Sequence, residues 1–175
     1  MELPKWVCAT GDGKSVLGYT DSDWAGDVSD RKSTSAYVFM VAGAAVSWCS
    51  RKQTITATSS CEAEYVAASM ACKEAVWLKR LLVDIPVNTN LSNGLRLLAD
   101  SQSAMKLAQN ESINRRNEHI DIIYHYVREV TNNGDVQLEY CPTEEMVADM
   151  LTKALGRIKF VNLRELCGIA GKGEL

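Results

Sequence analysis

The chain has 175 residues, 46% hydrophobic and 23% charged, which is typical of one ordinary globular domain. Its net charge of −3 gives no overall basic surface for nucleic acid, unless the acidic residues are concentrated where metal ions neutralise them. No apolar run approaches the ~20 residues that span a bilayer, and the N-terminus lacks a signal-peptide pattern. We therefore expect an intracellular protein, cytoplasmic or nuclear, without a membrane partner.

The six cysteines are scattered along the chain and form no C-x-x-C pair. This spacing is more typical of reduced thiols in a core than of zinc ligands or a disulfide framework.

The first third of the chain has the pattern of an antiparallel meander. Residues 16–20 predict a short strand that ends in a run of acids beginning at Asp21. Residues 36–41 and 45–49 predict two more strands, and the A-G-A link between them is a hairpin signal.

From about Ser60 the apolar period changes to that of a helix. Either Ser59 or Ser60 can supply the N-cap oxygen, and the helix is expected to end before Pro86. One stripe of this helix, at steps of three and four, contains Glu64, Ala68, Ala71, Ala75, Leu78 and Leu82.

The second half alternates strands with helices. The predicted elements are a strand at 95–99, a helix directly after Asp100, a helix at 118–130, a strand at 136–140, a helix from Pro142 to about residue 155, and a short amphipathic turn at 160–166. Strand–helix alternation favours parallel pairing with right-handed crossovers. The sequence therefore predicts a mixed central sheet flanked by helices.

Several acids are placed where a carboxylate needs a partner. Asp21 and Asp100 each follow a predicted strand, Asp149 lies in the apolar run V-A-D-M-L, and Glu64 lies on the alanine stripe. An unpaired buried carboxylate costs several kcal/mol. Together these acids would hold two divalent metals about 4 Å apart for phosphoryl chemistry. Each acid taken singly is more often a cap or a surface charge.

Several motifs in order resemble the ribonuclease H domain of Ty1/Copia-type retrotransposon polyproteins. They include G-Y-T-D-S-D-W-A-G-D, S-S-C-E-A-E-Y-V-A, A-D-S-Q-S-A, E-H-I-D-I-I-Y-H-Y-V-R-E and V-A-D-M-L-T-K-A-L. The resemblance runs from about residue 17 to residue 168. It implies a single domain, 1–175 with a core of about 15–168, and an α/β fold of the ribonuclease H type: a five-stranded mixed sheet in the order 3-2-1-4-5, flanked by α-helices.

The resemblance also implies an activity and its cofactor. Such domains are endonucleases that hydrolyse the RNA strand of RNA–DNA hybrids with two Mg²⁺ ions, for which Mn²⁺ is a substitute. The implied catalytic and metal-binding residues are Asp21, Glu64, Asp100 and Asp149. Glu62 is a rival for the place of Glu64, although its helical stripe is more mixed. Asp23 is a rival for Asp21, although it lies further into the loop.

Substrate contacts are expected from short polar and basic side chains. Gln53, Ser59 and Ser60 are candidates for reading the RNA 2′-hydroxyl, with capping and turn formation as the alternative. Candidate phosphate contacts are Arg31, Lys32, Arg51, Lys52, Arg115 and Arg116, for which a solvated face is the alternative. His119 is expected to be structural or to contact substrate rather than to be catalytic.

Two departures from the family pattern concern substrate handling. The segment Y-C-P-T at 140–143 lacks the His that many ribonucleases H carry before the last Asp. The segment N-R-R-N-E-H-I departs from the usual H-x-R-x-K-H-I by the loss of a His and a Lys, which weakens a basic contact with the substrate.

The implied partners are an RNA–DNA hybrid and the reverse transcriptase portion of the same polyprotein, with the domain itself monomeric. Two other functions remain open. One is a non-catalytic, domesticated domain that binds nucleic acid or a protein through the same fold. The other is a nuclease of the same superfold that acts on DNA.

Overall fold

The computed structural model describes residues 16–85, 91, 93–102, 105 and 118–169. Its strands are β1 (Val16–Asp23), β2 (Thr34–Val41), β3 (Ala44–Lys52), β4 (Leu95–Ala99) and β5 (Val136–Tyr140). Its α-helices are α1 (Ser60–Asp84), α2 (Glu118–Asn132) and α3 (Arg157–Leu166), and two 3-10 helices cover Thr143–Glu145 and Val147–Leu151. Most of the helix predicted directly after Asp100 lies outside the described residues, as do Arg115 and Arg116.

The five strands form one mixed sheet in the order β3-β2-β1-β4-β5. β1 pairs antiparallel with β2, which pairs antiparallel with β3. β1 also pairs parallel with β4, and β4 pairs parallel with β5. The predicted fold class and strand order are confirmed, and β1 is the central strand.

Two apolar cores cover the two faces of the sheet, because alternate side chains of a strand point to opposite faces. On one face, Val16, Phe39 and Leu97 pack with the long helix α1 and with α2. On the other face, Leu17 and Tyr19 pack with residues from the end of the chain. Burial on both faces explains why β1 is almost continuously apolar up to its acidic end.

The long helix α1 begins as the sequence predicts. The side chain of Ser59 is the N-cap and accepts a hydrogen bond from the backbone N–H of Glu62 at 3.2 Å. The buried residues of α1 include Ala68, Ala71 and Ala75 of the predicted stripe. Because these side chains are small, α1 packs close to β1 and β2.

The C-terminal part of the chain differs from the prediction. The single helix expected from Pro142 to about residue 155 is two 3-10 helices, separated at Met146, whose backbone is extended. Met146, Val147 and Ala148 are consecutive and all fully buried, so the segment has no polar face for an amphipathic helix. The predicted turn at 160–166 is the end of a longer helix, α3.

Candidate active site

The sheet places two of the predicted carboxylates side by side. Asp21 lies near the end of β1 and Asp100 directly follows β4, and these neighbouring parallel strands pair Thr20 with Ala99. Asp149 reaches the same place from the second 3-10 helix, which packs on β1 and β2. One side-chain oxygen from each of the three aspartates lies within 4.8 Å of the other two. The three carboxylates therefore converge at one end of the central strands.

Glu64, on the first turns of α1, lies beside this cluster. Burial, together with the negative charges of Asp21 and Asp100, raises the pKa of Glu64 to about 9. Within the described part of the chain, Glu64 Oε2 is buried and has no hydrogen-bond partner. An orphaned carboxylate oxygen facing other acids indicates a position where a cation is expected.

Glu62 has a different environment. It is buried and accepts hydrogen bonds from the backbone N–H of Thr58 at 2.7 Å and from the Thr58 hydroxyl. A carboxylate in the first turn also interacts favourably with the helix dipole. Glu62 therefore closes the start of α1, and the geometry favours Glu64 as the glutamate of the cluster.

Asp23 and Asp27 are likewise engaged elsewhere. Asp23 Oδ1 accepts a hydrogen bond from the backbone N–H of Thr34 at 2.6 Å, which ties the ends of β1 and β2 together. Asp27 is paired with Lys52 at the surface. Of the acids in the first loop, only Asp21 belongs to the cluster of three aspartates.

The cluster contains two lysines that the sequence reasoning missed. Lys153 Nζ lies 3.1 Å from Asp21 Oδ1 and 2.8 Å from Asp149 Oδ1. Lys159 Nζ lies 2.6 Å from Asp149 Oδ2. The available signal was the motif D-M-L-T-K, which places a lysine four residues after Asp149. The contact with Asp21, 132 residues away in sequence, leaves no local signal.

These two lysines and two threonine hydroxyls stabilise the carboxylates of the three aspartates. Burial raises the pKa of Asp21 to about 6, although the hydrogen bond from Thr152 and the charge of Lys153 act to lower it. Burial alone would lower the pKa of Lys153, but Asp149 and Asp21 raise it overall. Thr143 Oγ1 donates a hydrogen bond to Asp100 Oδ2 at 2.9 Å. The segment that lacks a histidine thus contributes a hydroxyl to the cluster.

Of the polar residues predicted to contact the RNA 2′-hydroxyl, two form hydrogen bonds within the protein and one is exposed. Gln53 is only 5% exposed, and its amide nitrogen donates to Ser35 Oγ at 2.8 Å and to the Ala63 carbonyl at 2.9 Å. Gln53 therefore joins β2 to α1. Ser59 is occupied as the N-cap, whereas Ser60 is exposed.

The basic residues predicted to contact phosphates differ in their ion pairs and in their exposure. Lys52 Nζ is paired with Asp27 and lies 3.2 Å from Asp30 Oδ2, while Arg51 is exposed on the edge strand β3. His119 lies in α2, but its side chain is outside the described residues, and Arg116 lies outside them altogether.

Known proteins are similar to this chain in sequence and in fold. No family model matches it. A retrovirus-related Pol polyprotein from the transposon TNT 1-94 of Nicotiana tabacum is 40% identical over 163 residues, which cover 93% of this chain. A Pol polyprotein from the transposon RE2 of Arabidopsis thaliana is 33% identical over 155 residues. The chain spans only 12% and 10% of the lengths of these relatives.

Solved structures show the same architecture. The N-terminal RNase H domain of rv2228c from Mycobacterium tuberculosis aligns with a TM-score of 0.57 over 87% of this chain and 97% of that one, at 13% identity. LC11-RNase H1, solved in complex with an RNA/DNA hybrid, aligns with a TM-score of 0.54 over 79% and 94%, at 17% identity. At these identities the likeness shows the fold alone. The chain is therefore homologous to a segment of the Pol polyproteins of Ty1/Copia-type transposons and has the ribonuclease H fold.

Proposed function

We propose that this chain is a metal-dependent ribonuclease H that hydrolyses the RNA strand of RNA–DNA hybrids. The observation that carries the proposal is the convergence of Asp21, Asp100 and Asp149 within 4.8 Å, with Glu64 beside them. The proposal is supported by the Pol polyprotein relatives and by a solved neighbour that binds an RNA/DNA hybrid. Asp21 lies near the end of β1 and Asp100 directly follows β4, so the rigid sheet fixes the positions of these two acids.

The donor set fits a hard divalent cation. All four side chains offer carboxylate oxygens, the ligands that Mg²⁺ prefers, and Mn²⁺ accepts the same set. The orphaned Glu64 Oε2 is an observation of the kind that a bound cation would explain. We assign Asp21, Glu64, Asp100 and Asp149 to hold two such ions. When bound, they supply Lewis acidity at the phosphate and lower the pKa of an attacking water.

The chain's own residues prepare the site in three ways. The pairing of β1 with β4 fixes the spacing of Asp21 and Asp100. The hydroxyls of Thr152 and Thr143 each donate to one of these two carboxylates and so hold their orientation. The burial of Asp21 and Asp149 excludes water from the carboxylates, which strengthens their interaction with any cation.

Exposed polar groups near the cluster are candidates for substrate contacts. Arg51 on β3 is opposite Ser35 of β2, which is in turn opposite Ser22, the residue after Asp21. Strands are spaced about 4.8 Å apart, so the Arg51 backbone lies roughly 10 Å from that of Ser22. An arginine at that distance can reach a phosphate of a bound duplex. Ser60, at the start of α1, is the remaining candidate for a 2′-hydroxyl contact.

The test is cleavage of a labelled RNA–DNA hybrid in Mg²⁺, with Asp100→Asn as the variant. Asp84→Asn is the matched control, because it makes the same change at an exposed position at the end of α1. We expect wild type and Asp84→Asn to cut the RNA strand and Asp100→Asn to lose cleavage. Absence of Mg²⁺-dependent cutting in wild type, or undiminished cutting by Asp100→Asn, would refute the assignment.

Two other substrates separate the alternative functions. Hybrid binding without cutting would indicate a non-catalytic binding domain, and cutting of duplex DNA would indicate a DNA nuclease of the same fold.

We further propose that the domain acts beside the reverse transcriptase of a polyprotein, because the relatives are Pol polyproteins of which it spans a small part.

A further inference from the structure

One lysine side chain joins two of the three clustered aspartates. Lys153 Nζ contacts Asp21 Oδ1 at 3.1 Å and Asp149 Oδ1 at 2.8 Å, so a single ammonium group bridges both carboxylates. The two aspartate side chains are 0% and 1% exposed, whereas that of Lys153 is 36% exposed. The carboxylates are therefore fixed in the interior, while the cation approaches them from the solvent side.

The second lysine makes a different contact. Among the residues that the structure describes, Lys159 Nζ contacts one acid, Asp149, through the other carboxylate oxygen, Oδ2, at 2.6 Å. It balances charge without linking two acids. Lys153 alone among the lysines of the described residues contacts both Asp21 and Asp149.

Two buried carboxylates this close together need a counter-charge, because their mutual repulsion adds to the cost of desolvation. Lys153 supplies one positive charge at the point where the two acids meet. A divalent ion held by the same pair needs lone pairs that now accept hydrogen bonds from Lys153. The lysine and the ion therefore compete for the same acceptor groups.

We propose that Lys153 is a built-in counter-ion for Asp21 and Asp149, and that a divalent ion must displace it from this pair. The inference rests on the metal site proposed above. The long, flexible stem of a lysine permits the exchange, since Nζ can move to solvent while the backbone stays in place. Lys153 thus stabilises the metal-free protein and weakens its affinity for metal.

The test compares three lysine variants by metal binding and thermal unfolding, neither of which requires activity. Lys153→Met removes the bridging charge, and Lys159→Met removes the charge that contacts Asp149 alone. Lys79→Met is the matched control, because Lys79 lies 2.9 Å from Asp135 Oδ1 in a half-buried ion pair that involves none of the clustered acids. Titration calorimetry with Mn²⁺ gives the dissociation constant, and melting in EDTA gives the stability of the metal-free protein.

For Lys153→Met we expect the Mn²⁺ dissociation constant to fall about tenfold, which corresponds to ~1.4 kcal/mol. We also expect its Tm in EDTA to fall and its Mn²⁺-induced gain in Tm to exceed that of wild type. Lys79→Met should change the dissociation constant by less than about twofold, because exposed or half-exposed pairs have small energies and act locally. Lys159→Met should have an intermediate effect. If Lys153→Met does not fold, Lys153→Gln replaces it.

Unchanged or weaker Mn²⁺ binding in the Lys153 variants, with wild type binding Mn²⁺ and cutting hybrid, would overturn the inference and leave the proposed function intact. Binding of Mn²⁺ by a Lys153 variant but not by wild type would support the inference. If neither wild type nor any Lys153 variant binds Mn²⁺, both the inference and the proposed metal site fail.

Discussion

The two neighbouring glutamates of α1 should respond in opposite ways to the same substitution. Glu62 accepts hydrogen bonds from Thr58, whereas Glu64 has an orphaned oxygen and faces two negative charges. Glu62→Gln weakens charge-assisted hydrogen bonds at the start of the helix. Glu64→Gln removes a carboxyl group that the folded protein holds at a cost.

The size of the Glu64 effect follows from its pKa, which burial raises from 4.5 to about 9. The unfolded chain releases the proton near pH 4.5, whereas the folded chain keeps it until about pH 9. The contribution of Glu64 to stability therefore becomes more unfavourable as the pH rises through that window, by 1.36 kcal/mol per pH unit at most. At pH 7 the penalty is at most about 3 kcal/mol, and Glu64→Gln should recover part of it. Glu62→Gln should instead cost about 1.5–3 kcal/mol.

The assay is urea denaturation in EDTA at pH 5, 7 and 8.5 for wild type and both variants. The free energy of unfolding of Glu64→Gln relative to wild type should increase from pH 5 to pH 8.5. Glu62→Gln should be less stable than wild type throughout. The reasoning would be refuted if Glu64→Gln lost as much stability as Glu62→Gln, or if its advantage did not change with pH. EDTA is required because a bound ion would favour the charged carboxylate.

Two further substitutions test the scaffold. Gln53→Ala removes the side-chain hydrogen bonds to the Ala63 carbonyl and to Ser35 Oγ, and it should lower the free energy of unfolding by about 1–3 kcal/mol, while the KM for hybrid stays near that of wild type. A large rise in KM with unchanged stability would instead show that Gln53 contacts substrate. Gly18→Ala places a methyl group 2.4 Å from Cε1 of the buried Phe39 and should destabilise by about 1–3 kcal/mol in urea titrations, and an unchanged midpoint would contradict this.

The sheet could be predicted because its signals are local. The hairpin link between β2 and β3 and the strand–helix alternation later in the chain both restrict the topology, and the family resemblance gave the strand order. The choice of Glu64 over Glu62 also depended on a local pattern, the alanine stripe that packs against the sheet. The single helix predicted from Pro142 to about residue 155 was wrong. Met146, Val147 and Ala148 in this segment are all buried, by packing against both the sheet and α3.

The positive charges of the candidate site were harder to predict from the sequence than its acids. Each acid could be identified from the sequence, because a carboxylate at a predicted strand end or on an apolar stripe needs a binding partner. Lys153 and Lys159 looked like ordinary surface lysines, since their roles depend on contacts with residues that are distant in sequence or lie in the irregular C-terminal segment. The burial of Gln53 could not be predicted from the sequence, because a glutamine that follows a strand is usually an exposed turn residue.

The hydrogen bond from Thr152 to Asp21 joins residues 131 positions apart, so it closes a loop that contains most of the chain. Closing such a loop costs conformational entropy that only the intervening packed elements can offset. All five strands of the sheet lie before residue 141, whereas the residues after Tyr140 supply the cover of one sheet face and the last aspartate of the cluster. The carboxylate cluster is therefore expected to be among the last parts of the protein to form, and a chain still folding would have no assembled site with which to cut nucleic acid.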